Sequence, residues 1–428
     1  MKEKIQKLIK TGFFSIYISE ILAKVITMFG GVLLVRLMTK DDYGIYTLVQ
    51  NALSMLCIFG DFGAADATLQ FALENEENQD KQNGIFLLGI KMLLFSTSLS
   101  SVIIIISPLF YPYKTNYIEK LTIFMCLIPI FNAMINYISI VLRSKKENNK
   151  FSFYQIIITI IHYTVILIFT KIYGLKGALF SQYVYNILLI IIGILILKKM
   201  LNLKHFEGIK QQEKKYFFKL AIGTQFNHTL NNMLYQIDIF TLSIMIASPA
   251  DISVYKVSTV IPTAFAFLPL CLMTYLLPNF IKHNKEKGWI RNKTKKLILY
   301  SFPFYLIITI VFICLSKNIF LILYGKQYVD AYLPFSLLMI GFLFSATIKS
   351  PIYSIAYVLH NIKFNVCVSI ISLIANFILN IIFIKIFGII GVAISTLIIN
   401  ILGSIASIIY IYNVTKEIKT NEKFNKKI

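Results

Sequence analysis

Eight polar side chains, Gln225, Asn227, His228, Asn231, Asn232, Tyr235, Gln236 and Asp238, recur within a stretch that is otherwise apolar. At about 100° per residue they fall in one arc of about 180° of a helix. Phe226, Leu230, Met233, Leu234, Ile237 and Phe240 take the opposite arc. Such a wall cannot face hydrocarbon, where each unsatisfied group costs several kcal/mol. It is expected to line a water-filled lumen, because a polar seam between two helices would be narrower. His228, Asn231, Asn232 and Tyr235 are therefore candidate lumen residues, and Asp238 is a candidate for coupling to an ion.

Ionisable residues in other apolar runs are functional candidates for the same reason. Glu20 and Lys24 share a helical face with Ser19, Thr27 and Gly31, and their i,i+4 spacing permits an ion pair. Glu20 is the second ion-coupling candidate. Lys349 has no acidic residue within a helical turn and shares its face with Ser345 and Tyr353. A lone cation there calls for a mobile anion, water or a carboxylate from another helix. His162 is expected to be packed, Lys91 to reach the interface along its own stem, and Asp61 and Asp66 to be solvated or to cap a helix. No phosphate-binding glycine loop and no His and carboxylate set at metal spacing occurs in the sequence, so bond-making chemistry is not indicated. Nor do the five cysteines, Cys57, Cys126, Cys271, Cys314 and Cys367, show metal-ligand or disulfide-framework spacing.

The elements that position these residues follow from composition. The chain has 428 residues, 57% hydrophobic and 14% charged, with mean hydropathy +0.72. That apolar share exceeds the globular norm, and it would supply about twelve spanning helices of about 20 residues each. Apolar windows fall near 13–37, 44–64, 84–107, 118–142, 152–170, 177–197, 217–246, 253–280, 297–323, 332–359, 364–386 and 389–413. The formal charge of +22 sits in short clusters between these windows. The alternate loops starting with the N-terminus hold 29 Lys and Arg, against about ten on the other side, which puts both termini in the cytoplasm. The basicity thus reads as orientation rather than as affinity for nucleic acid. The clusters at Arg143 to Lys150, Lys198 to Lys219 and Lys282 to Lys296 would also attract anionic headgroups. Pro262, Pro269 and Pro278 allow the eighth helix to bend.

An internal repeat divides the chain. FTKIYGLKGALFSQYVYN at 169–186 matches FIKIFGIIGVAISTLIIN at 383–400, offset by 214, and DYGIY at 42–46 is echoed by DISVY at 251–255. A nearly equal offset places Asn136 at the position equivalent to Lys349. An offset of half the chain implies two six-helix halves in the same orientation. The expected architecture is an all-α integral membrane protein with about 12 transmembrane helices, in two pseudo-symmetric six-helix bundles around a central cavity. Its parts are an N-terminal bundle at 1–197, a basic cytoplasmic linker at 198–216, a C-terminal bundle at 217–413 and a basic tail at 414–428.

Three stretches, RLMTKDDYGIYTLVQ at 36–50 with FGDFGAADATLQ at 59–70, YGLKGA at 173–178 with its copy FGIIGVA at 387–393, and YGKQYVDAY at 324–332, carry a resemblance to a known family. The chain resembles the Wzx-type polysaccharide flippases of the multidrug/oligosaccharidyl-lipid/polysaccharide (MOP) exporter superfamily over nearly its whole length. That resemblance implies translocation of an undecaprenyl-diphosphate-linked oligosaccharide across the bacterial cytoplasmic membrane by alternating access. It implies no cofactor, coupling to H+ or Na+, a basic lumen to which Lys24, Lys349 and Lys256 would contribute, and polysaccharide-assembly proteins as partners alongside membrane lipids. A multidrug exporter of the same fold and a membrane polymerase or ligase remain the alternatives. The first would need an acidic lumen site, and the second a sizeable outer loop.

Overall fold

The computed structural model describes residues 13–57, 60–198, 208–246, 248–359 and 361–416. Most of the basic linker (199–207) and of the basic tail (417–428) lies outside them. The described chain is helical throughout, with no strand among the described residues. That is what a bilayer demands of a chain that must satisfy its backbone internally. Among the described residues eight helices are long and apolar enough to cross a membrane, nine when the bent pair Asn116–Phe124 and Ile128–Ser144 is taken as one span. The helix Gln211–Met245 carries the polar arc, which keeps it outside that apolar set.

One helical run, Asn148–Lys198, has 51 residues. Straight, it would measure about 77 Å, more than twice the ~30 Å hydrocarbon core. It breaks at Gly174, whose φ of 60° and ψ of −139° leave the helical region, so the windows at 152–170 and 177–197 are separate crossings. Gly388, between Ile362–Phe387 and Ile389–Lys416, has φ 58° and ψ −134°. The second glycine of each motif explains its own presence. A Cβ on Gly177 would lie 2.1 Å from the Phe169 carbonyl oxygen, and one on Gly391 2.2 Å from that of Phe383. The sequence repeat is therefore a repeat of backbone geometry, with one glycine for the left-handed turn and one for the close approach.

The second apolar window differs from expectation. In place of one helix over 44–64 there are two, α1 (Lys40–Leu56) and α2 (Ala64–Glu74). Gly60, Phe62 and Gly63 turn the chain between them with φ of 45°, 52° and 70°. The Asp61 carboxylate accepts from the backbone N–H of Gly63 (3.1 Å) and Ala65 (3.2 Å), which pairs two N–H groups at the buried start of α2. Asp61 thus caps a helix, as expected, but does so inside a broken span.

The chain forms two compact units, Met1–Gln236 and Ile237–Ile428. The helix Gln211–Met245, α3 here, is shared between them. Its early turns belong to the first unit, where Phe217 and Ala221 are fully buried against Phe71, Phe86 and Tyr137. Lys81 and Glu213 pair at 2.6 Å beside that core. The ammonium hydrogen bond holds the Glu213 carboxyl below its usual range. In the second unit, Met273, Phe280, Ile290, Ile352 and Ile355 form a buried cluster.

Candidate functional site

In the first unit the break between α1 and α2 opens a cavity of about 550 Å³, within the range of ligand sites. Asp61 and Asp66 line it from the break, Asn132, Asn136 and Arg143 from Ile128–Ser144, and Gln225 and Asn232 from α3. The break exists because Gly63 lies against α3. A Cβ there would stand 2.1 Å from the Ala221 carbonyl oxygen. Two residues of the polar arc thus face a polar space. Gln236 does something else, because buried Asn51 donates to its Oε1 at 2.8 Å and to its carbonyl at 3.0 Å. That end of the arc is a packing seam. The side chains of Asn227, His228, Asn231 and Tyr235 lie outside the described residues.

Asp238 begins the polar chemistry of the second unit. It is 8% exposed and flanked by buried Ile237 and Ile239. Its Oδ1 accepts from Asn376 Nδ2 at 2.8 Å and Asn380 Nδ2 at 3.0 Å, and its Oδ2 from Tyr255 Oη at 2.6 Å and Thr396 Oγ1 at 2.8 Å. Asn376 and Asn380 stand one helical turn apart on Ile362–Phe387, so one face of that helix presents both amides. Tyr255 comes from Pro249–Phe265 and Thr396 from Ile389–Lys416. Four neutral donors thus satisfy both carboxylate oxygens. Burying a carboxylate with fewer partners would cost several kcal/mol. The Oδ1 atoms of Asn376 and Asn380 are buried with no hydrogen-bond partner. Turning each amide over exchanges its nitrogen for its oxygen with little change of shape. The set would then be a carboxylate, two amide oxygens and the Thr396 hydroxyl, hard oxygen donors suited to a small cation. No group of three His, Cys, Asp or Glu side chains occurs among the described residues, so transition-metal chemistry has no such cluster to use.

Lys349 lies in the second unit at a widening of its helix. Residues Ser345–Lys349 form a π turn, in which the Ser350 N–H donates to the Ser345 carbonyl five residues back. Pro351 follows and has no N–H to give. The lysine stem runs over Gly403, where an added Cβ would lie 3.2 Å from Lys349 Cδ and Cε. Its Nζ sits 5.8 Å from the centre of the Tyr353 ring, and among the described residues no carboxylate pairs with it. In the first helix, Phe13–Arg36, Glu20 and Lys24 are both exposed and do not pair with one another. His162 packs between the rings of Tyr163 and Tyr185. Lys256, next to Tyr255, is half-buried.

A family described as "Polysaccharide biosynthesis protein" matches residues 9–257, more than half of the chain. The chain belongs to that family. No curated protein matches it. Among solved structures, the lipid II flippase MurJ in its inward closed conformation is 19% identical, with a TM-score of 0.69, over 92% of this chain and 87% of that one. An inward-facing MATE family multidrug resistance transporter of the MOP superfamily is 12% identical, with a TM-score of 0.76, over 93% and 96%. The Vibrio cholerae MATE transporter VcmN is 14% identical, with a TM-score of 0.63, over 96% and 98%. This polysaccharide biosynthesis family member therefore has the MOP transporter fold and is a multi-pass membrane protein. Four residues of its Asp238 cluster went unnoticed in the sequence: Tyr255, Asn376, Asn380 and Thr396. Two asparagines at i,i+4 in an apolar helix were the available signal.

Proposed function

We propose that the chain moves an undecaprenyl-diphosphate-linked oligosaccharide repeat unit from the inner to the outer leaflet of the bacterial cytoplasmic membrane, by alternating access, for surface polysaccharide synthesis. The family assignment supports polysaccharide biosynthesis, and the observation that carries translocation is the polar cavity in an otherwise apolar chain. Sugar hydroxyls cannot cross hydrocarbon unpaired, whereas the lipid tail can stay in the bilayer beside the protein. The role is that of a transporter, a reading supported by the flippase and transporters whose fold the chain shares. Lys349 acts as counter-charge to the diphosphate or to an acidic sugar, aided by Lys24 and Lys256. At about 4 Å and an effective dielectric near 20, that attraction is worth about 4 kcal/mol. Asp238, with Asn376, Asn380 and Thr396, binds the coupling ion, Na+ being the ion its oxygen set suits. Glu20 is the lesser candidate. Both termini face the cytoplasm, and polymerase and other assembly proteins take up the product outside.

The test is surface polysaccharide in a flippase-deleted strain at matched protein levels. Wild type restores it, while Asp238→Asn and Lys349→Glu do not. Failure of the wild type with the cognate glycan machinery present would overturn the assignment. Asp61 and Asp66 on the cavity wall favour one other reading, export of organic cations, although two backbone N–H groups already engage Asp61. Resistance to cationic dyes conferred by the wild type and lost in Asp66→Asn would support that reading instead.

A further inference from the structure

Between Lys282 and Lys296 the chain carries seven Lys and Arg residues against the single acid Glu286. Two of them, Lys293 and Lys296, line a groove of about 580 Å³ in the second unit. One wall is a stripe of the helix Lys287–Cys314, and the other a stripe of Phe267–Lys282 with Leu272 and Leu276. The helices run in opposite senses along the groove, so its polar residues gather at one end and its apolar residues at the other. The polar end holds the Trp289 indole, stacked on His283 at 4.3 Å and 10°, with Lys293 Nζ 5.6 Å from the indole ring centre. Toward the other end stand Phe304 and Tyr305. Among the described residues no carboxylate pairs with Lys293 or Lys296. From Lys293 to Tyr305 the helix rises about 18 Å, close to one leaflet of a hydrocarbon core about 30 Å thick.

We propose that this groove binds one anionic phospholipid of the bilayer, with its phosphate between Lys293 and Lys296 and one acyl chain along Leu272, Leu276 and Phe304. Charge complementarity selects the occupant. Two unpaired lysines favour a headgroup with net negative charge over a zwitterion, and basic pockets between spanning helices are where such headgroups settle. The inference requires only that the chain spans a membrane, and stands whatever the transported substrate is.

Trp289 is the sole tryptophan of the chain and lies at the headgroup end, so it reports on the site directly. The full-length protein would be placed in phosphatidylcholine nanodiscs in which about one lipid in ten carries brominated acyl chains, either as phosphatidylglycerol or as phosphatidylcholine. Enrichment of about thirtyfold is expected from two lysines at about 1 kcal/mol each, so brominated phosphatidylglycerol quenches Trp289 strongly and brominated phosphatidylcholine only weakly. The double variant K293Q/K296Q, altered at exposed positions that leave the buried core intact, should unfold at the wild-type temperature and lose the difference. Equal quenching of the wild type by both lipids would overturn the proposal, as would a preference that survives in the double variant. Displacement of brominated phosphatidylglycerol by equimolar undecaprenyl phosphate, but not by unbrominated phosphatidylglycerol, would give the groove to the polyprenyl chain and would equally overturn it.

Discussion

The Asp238 carboxylate is buried and takes four side-chain hydrogen bonds, three of them from side chains whose oxygens could also face a small cation. Hydrogen bonds to a carboxylate are each worth about 1.5–3 kcal/mol net, and under the proposed function two amide turns would present the Asn376 and Asn380 oxygens to Na+. Purified protein should therefore unfold at a higher temperature in sodium chloride than in choline chloride of equal ionic strength. Asp238→Asn should lose that increment, and Asn380→Leu should reduce it. An increment unchanged in Asp238→Asn would remove the ion from this site. Lys349 poses the opposite problem, a cation whose mid-membrane insertion costs about 3 kcal/mol, here laid over Gly403. Lys349→Arg should keep part of the export, Lys349→Ala should lose most of it, and Gly403→Val should mimic the loss by displacing the lysine stem. Export measured as surface polysaccharide and unchanged in Lys349→Ala would end its role as counter-charge. Of these two centres the sequence disclosed the charged member only. The partners of Asp238 lie 17 to 158 residues further along the chain, a separation that no local pattern bridges.

The helix Gln211–Met245 shows how one polar arc can serve several purposes. Gln225 and Asn232 face the cavity of the first unit, Gln236 locks to Asn51, and Asp238 joins the second unit's cluster. Periodicity exposed the arc because a helix sorts its side chains every 3.6 residues. It could not divide the arc among neighbours, since that depends on what packs opposite. With the native cysteines replaced, Cys57 of the cavity wall included, single cysteines at Gln225 and Asn232 should react with small polar thiol reagents, and one at buried Ile237 should not. Equal reactivity at all three would make the whole arc a seam. The broken second span escaped detection for a different reason. A window of about 20 residues averages over a three-residue turn, so the glycines at 60 and 63 were diluted by the leucines and alanines around them. The π turn before Pro351 was hidden likewise, although the proline was in plain view. The 214-residue repeat, by contrast, was fully legible, because identical glycines were needed for identical turns at Gly174 and Gly388.

For the whole molecule, the charge pattern is a statement about topology, and it predicts that Trp289 faces the cytoplasm while Lys114 and Lys326 face outward. Single cysteines at these positions, probed with an impermeant thiol reagent in intact cells, should label at 114 and 326 only. Labelling at 289 alone would invert the orientation. The first unit carries a polar cavity, and the second a buried carboxylate held by four side-chain donors and a lysine with no carboxylate partner among the described residues. The decisive measurement is made on purified protein in proteoliposomes containing a radiolabelled undecaprenyl-diphosphate oligosaccharide, with an inward sodium gradient and a membrane-impermeant glycosidase outside. The account predicts that wild type exposes the internal pool to the enzyme, that collapsing the gradient slows the exposure, and that Asp238→Asn and Lys349→Glu leave only the fraction initially outside accessible. An internal pool that stays protected with wild type, or is released equally by both variants, would contradict it.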